Sequence, residues 1–122
     1  MTKFIYEEIP EYSREEALAA AQRNVSDELR RVVIGIALYH PDRDFIGQFC
    51  WSLATHSDEC VRGNAVLGLG YLAQRFEQLD EMHFRPIIEA ALVDESQYVR
   101  GQAWAAADDI SHALGWKIAG FK

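Results

Sequence analysis

One recurrence constrains the fold more than any other feature. The stretches "CVRGNAVLGLGYLAQRF" (60–76) and "YVRGQAWAAADDISHAL" (98–114) both open on Val-Arg-Gly, at Val61 and at Val99. Behind each triplet the small or apolar positions take the same steps: 61, 65, 69, 72 and 76, against 99, 103, 107, 110 and 114. Steps of four, four, three and four keep to one face of a helix. A fainter copy, Leu29-Arg30, precedes Val61-Arg62. Four columns then match across three copies: Asn24, His56 and Asp94; Leu29, Val61 and Val99; Arg30, Arg62 and Arg100; Val33, Ala65 and Ala103. The steps from Arg30 to Arg62 and from Arg62 to Arg100 are each the length of a helix-pair repeat.

Punctuation along the chain supplies six helices. Ser13 and Glu16 form a capping box for "REEALAAAQR". Ser26 is expected to cap "DELRRVVIGIALY", which stops before His40-Pro41. Asp42 or Asp44 opens "FIGQFCWSLAT", and "DECVRGNAVLGLGYLAQRF" is the fourth helix. "QLDEMH" reads as a connector, and "RPIIEAALV" as a fifth helix carrying Pro86 in its first turn. Asp94 with Gln97 is expected to cap "SQYVRGQAWAAADDISHAL", with Gly115 as its C-cap. The repeats then cover roughly 13–40, 42–76 and 81–114 of one domain, between an N-terminal arm (1–12) and a C-terminal tail (115–122). "FIYEEIPEY" and "WKIAGFK" hold the apolar residues to shield the two ends, or to dock a partner.

In register, these columns resemble the HEAT-repeat family, whose unit is an antiparallel helix pair with an Asp in its linker and a Val-Arg pair five residues on. The third copy matches best, through Pro86, Asp94, Val99, Arg100 and Ala103. The second has His56, and the first Asn24, where Asp is usual. The resemblance implies an all-α fold, a right-handed α-α superhelix of about three hairpins. It also implies that Arg30, Arg62 and Arg100 tie neighbouring repeats together through loop carboxylates and carbonyls.

Charge and chemistry narrow the function. Twelve basic and 19 acidic residues leave a net charge of -7, which repels nucleic acid and anionic membranes and suits a basic partner. No apolar run nears the roughly 20 residues that span a bilayer. The N-terminal stretch lacks an apolar signal core, so the expected compartment is the cytoplasm. Cys50 and Cys60 read as a reduced pair, with Cys60 in a helical first turn where a thiol pKa can fall. None of His40, His56, His83 and His112 is followed by Glu, so the His-Glu dipeptides of HEAT-like hydroxylases are absent. No His pair has helical ligand spacing. His40, Asp42 and Asp44 in "HPDRD" read as a turn and cap sooner than a metal site. No catalytic residue, metal or cofactor is assigned.

A protein-binding role remains. In solenoids of the resembled family the second helices line the concave face. The stripe opposite the core on the fourth helix is Gly63, Leu67, Gly70 and Gln74; on the sixth it is Gly101, Ala105, Asp108 and His112. The partner-binding candidates are Asn64, Leu67, Tyr71, Gln102, Trp104, Asp108, Asp109 and His112. The small residues either let helices pack closely or floor a groove edged by Tyr71 and Trp104. Small, acidic, single-domain bacterial proteins of this kind look like immunity proteins, which neutralise a cognate toxin, often a basic nuclease. The alternatives are a scaffold or adaptor subunit, or a small metal- or chromophore-related enzyme subunit.

Overall fold

The computed structural model describes residues 8–121. The described chain is all-α: α1 Arg14–Arg23, α2 Ser26–Tyr39, α3 Arg43–Leu53, α4 Glu59–Phe76, α5 Glu81–Leu92 and α6 Gln97–Leu114. Consecutive helices pair as hairpins, α1 with α2, α3 with α4, α5 with α6. The second helices also form a layer of their own, with α4 packed between α2 and α6. The first helices touch one another little, so α4 is the centre of the molecule.

The local signals explain most helix ends. Ser13 and Glu16 close the capping box on α1. Asp42 accepts from the Asp44 and Phe45 amides, and Asp58 from those of Cys60 and Val61, so each caps its helix. Gly115 ends α6 in the left-handed region (φ 73°). Three expectations need correcting. The N-cap of α2 is Val25, without a side-chain cap bond; the Ser26 side chain instead lies toward the Asp58 carboxylate of the next hairpin and helps to lower its pKa. The N-cap of α6 is Ser96, accepting from the Val99 amide, while Asp94 turns away to Arg62 and the Ser96 amide. Helix α5 begins at Glu81, so "EMH" is helical and Pro86 lies inside. Burying Phe84 against Gly47, with Ile88 one turn on, draws that extra turn into the core and offsets the amide Pro86 cannot donate.

The core is one apolar cluster. Leu29, Val33, Ile36, Ile46, Val61, Leu69, Leu72, Ile88, Val99 and Ile110 are fully buried. The N-terminal end is covered, and the tail packs on part of the other. Pro10 and Tyr12 lie over Gly35 of α2; a Cβ there would stand 2.6 Å from the Pro10 carbonyl oxygen. At the other end Ile118 is buried, with Trp116 and Phe121 packed beside it. The rest of the expected N-terminal shield, residues 1–7, lies outside the described residues.

The repeat columns hold in burial. Leu29, Val61 and Val99 are fully buried, as are Val33, Ala65 and Ala103. Helix α2 begins one residue earlier against these columns: Arg62 and Arg100 are each the fourth residue of their helix, whereas Arg30 is the fifth of α2.

Candidate functional site

The predicted binding residues divide between a packed seam and an open face. At the seam, Asn64 is only 5% exposed and joins three helices. Its amide donates to the Arg30 carbonyl oxygen of α2 at 3.0 Å. Its oxygen accepts from the Tyr98 hydroxyl at 2.6 Å and the Gln102 amide at 2.9 Å, both on α6. Gln102 also donates to the Tyr98 hydroxyl. Asn64 and Gln102, both expected to contact a partner, are thus tied into the seam, Asn64 buried and Gln102 half-buried. A buried amide with its donor and acceptor both used is costly to lose.

The glycines belong to the same seam. A Cβ on Gly63 would stand 2.9 Å from the Tyr98 ring, and one on Gly70 2.9 Å from the Ala106 Cα and 3.2 Å from Asp109. Gly68 faces the other way, against Cys50 and Ala37. These three are packing glycines that let α4 lie close to both neighbours. The stripe read as outward is the contact face between α4 and α6. The corresponding glycine of α6 is free of such contacts: nothing lies within 4 Å of a Cβ built on Gly101.

Leu67, Tyr71 and Asp109 edge this seam and are half-buried. Burial and the nearby Asp109 push the Tyr71 hydroxyl pKa up. Burial first, and then Asp108, raises the Asp109 carboxyl, which accepts from the Gln74 amide at 3.1 Å. On the far side of α6, Trp104 is 53% exposed, and its ring meets Phe121 of the tail edge-on with centroids 4.8 Å apart. It turns toward the tail and not toward Tyr71, so the two do not edge one groove. Asp108 and His112 lie one turn apart, with His112 Nδ1 3.5 Å from the Asp108 carboxylate. Of the eight candidates, Trp104, Asp108 and His112 share the open face of α6.

The arginines have three separate fates. Arg62 makes the expected tie: Nε and Nη2 donate to Asp94 at 2.9 and 2.8 Å, and Nη1 to the carbonyls of His56 and Ser57. That bond to Arg62 is the main reason the Asp94 pKa is lowered. Arg100 reaches the Asp94 carbonyl of its own hairpin's loop at 2.7 Å. Arg30 bonds Asp27 on its own helix. His56 takes over the turn role of the usual Asp. Its Nδ1 accepts from the Asp58 amide as the Asp94 carboxylate accepts from Ser96. Nε2 thus carries the hydrogen and donates to Asn24 at 2.7 Å. Two ties escaped the columns: Ser96 donates to Glu59, and Arg75 donates to the Ala37 carbonyl near the C-terminus of α2. Tyr98 was also missed, although its place one turn before Gln102 puts it on the same face.

The other chemical candidates are occupied by local structure. His40 accepts from the Asp42 amide, Asp42 caps α3, and Asp44 pairs with Arg43. Both cysteines are free. Burial pushes the Cys50 thiol up to about 12. Cys60 also shifts upward, through burial and then Asp58 and Glu59, contrary to the expected first-turn lowering. Among the described residues no three His, Cys, Asp or Glu side chains cluster to hold a metal, and no helix is long and apolar enough to cross a membrane.

No protein-family model matches the chain, and no curated protein matches it. Among solved structures, a chain in the crystal structure of a CDI complex from Cupriavidus taiwanensis superposes with a TM-score of 0.77 at 23% sequence identity. The likeness covers 88% of this chain and 95% of that chain. It is a likeness of fold, extending over nearly all of both chains.

Proposed function

We propose that this chain is an immunity-type protein that binds and neutralises a cognate toxin of a contact-dependent inhibition system. The observation that carries the reading is the near-complete likeness to a chain of a CDI complex. A shared hairpin would match one part of each chain; here the whole stack matches. The finer reading is a small, acidic, non-catalytic HEAT-like inhibitor working in the cytoplasm on a basic toxin, such as a nuclease. Its support is the net charge of -7 and the use of the histidine-carboxylate stretch for turns and caps. Opposite charge speeds encounter and rejects wrong partners.

The test pairs the purified chain with the toxin domain encoded beside it. A one-to-one complex, and survival of cells that express both, is the expected result. Failure to bind that toxin and failure to protect would sink the reading.

A further inference from the structure

We infer that the outer face of α6, along Gly101, Trp104 and Asp108, docks an α-helix of a basic partner protein; the identity of that partner as a toxin rests on the function proposed above. One repeat earlier, the molecule itself shows what covers this face. Counted from the helix starts at Glu59 and Gln97, Gly63, Val66 and Gly70 of α4 correspond to Gly101, Trp104 and Asp108 of α6. On α4, Gly63 and Gly70 are buried under a helix, α6, which lays Tyr98, Gln102 and Ala106 across them. No helix follows α6 among the described residues. The space over Gly101 is open, and Trp104 remains 53% exposed although Phe121 meets its ring.

The residues that differ between the two faces define the occupant. Buried Val66 becomes an indole, a large flat surface of the kind that anchors interfaces. Gly70, which admits the Ala106 backbone, becomes Asp108, whose side chain is 47% exposed. A helix seated here therefore meets a carboxylate where α6 meets a glycine, and it needs a lysine or arginine at that point. A second copy of the chain fits poorly. Its N-terminal face is covered by Pro10 and Tyr12 over Gly35, so the copies cannot continue the stack head to tail. A two-fold pairing through α6 would bring each Asp108 to the same acidic patch, between chains that each carry a net charge of -7.

The decisive experiment is calorimetric titration of the chain with the toxin domain encoded beside it, together with sedimentation of the chain alone. The variants are Gly101→Gln, Trp104→Ala and Asp108→Lys, with Met82→Ala on the exposed side of α5 as the control. Each α6 variant is expected to weaken Kd by at least about tenfold, and the control by less than about twofold. Asp108→Lys also slows association, most at low salt. Gly101→Gln fills open space on a helix, so its melting temperature does not fall, which separates lost binding from lost folding. Unchanged binding by Gly101→Gln and Trp104→Ala overturns this surface and leaves the functional reading intact. A toxin that does not bind the unaltered chain overturns both. A dimer abolished by Gly101→Gln assigns the face to a second copy, and likewise overturns the inference.

Discussion

The outer faces of α4 and α6 start from nearly the same sequence and end in opposite environments. Both follow Val-Arg with Gly, at Gly63 and at Gly101. On α4 that face is filled, and Gly63 and Gly70 are contact points where a single methyl group does not fit. On α6 no helix covers it: the glycine in the same place touches nothing, and Trp104, which meets Phe121 of the tail, stays 53% exposed. A residue pattern can thus say that a helix is open to close approach. Whether anything approaches depends on what comes next in the stack.

The largest test of this contrast is Gly70→Leu. Its side chain would run into the Ala106 backbone, which cannot swing aside as a flexible side chain can. A loss of about 3 kcal/mol is expected by denaturant unfolding. A neutral result would mean that α4 and α6 do not pack this closely. Next is Asn64→Ala, which removes the second donor to the Arg30 carbonyl and the buried acceptor shared by Tyr98 and Gln102. About 2 kcal/mol should be lost.

Replacing Arg62 by Met breaks the tie to Asp94 and is expected to cost about 1–2 kcal/mol at neutral pH. The pH dependence has a definite sign. The folded-state pKa of Asp94 is depressed below its ordinary 3.8. The pair's contribution is therefore present above the ordinary carboxylate range and lost as pH falls through the lowered folded value. Acid unfolding of Arg62→Met should accordingly show a shallower loss of stability below about pH 4 than the unaltered chain. Equal slopes would exclude the pair as a source of that stability. The smallest effect, and the only gain, is Gly101→Ala. It improves helix propensity with no clash and should stabilise by about 0.5–1 kcal/mol. A destabilised Gly101→Ala would show that this face is not open.

Helix punctuation was legible because it is local. A capping box, an Asp before an apolar run and a glycine after one act through neighbours in the chain, so Ser13 and Gly115 could be read directly, and the cap of α3 narrowed to Asp42 or Asp44, of which Asp42 is the one used. Pro86 was misplaced because the burial of Phe84 against Gly47, on another helix, outweighed a missing amide. The third repeat's link to the second was legible in Arg62 and Asp94. The first repeat's was not: His56 donates to Asn24 and Asn64 to the Arg30 carbonyl, and such partners on another hairpin are set by packing and not by neighbours in the chain. The candidate residues divide by environment in a way the sequence did not show. Trp104, Asp108 and His112 lie on the open face of α6, whereas Asn64 and Gln102 bond across the seam, because polar side chains on a second helix look alike whether they meet water or each other.

The sequence by itself determined six helices, their pairing and an acidic exterior, because period, caps and charge are properties of short stretches. It also determined that the second helices could come close, because glycine carries no side chain to hold them apart. Only the tertiary structure decided which glycines are used. Packing is a relation between helices distant in the chain, so the same residue is a contact at Gly63 and bare surface at Gly101.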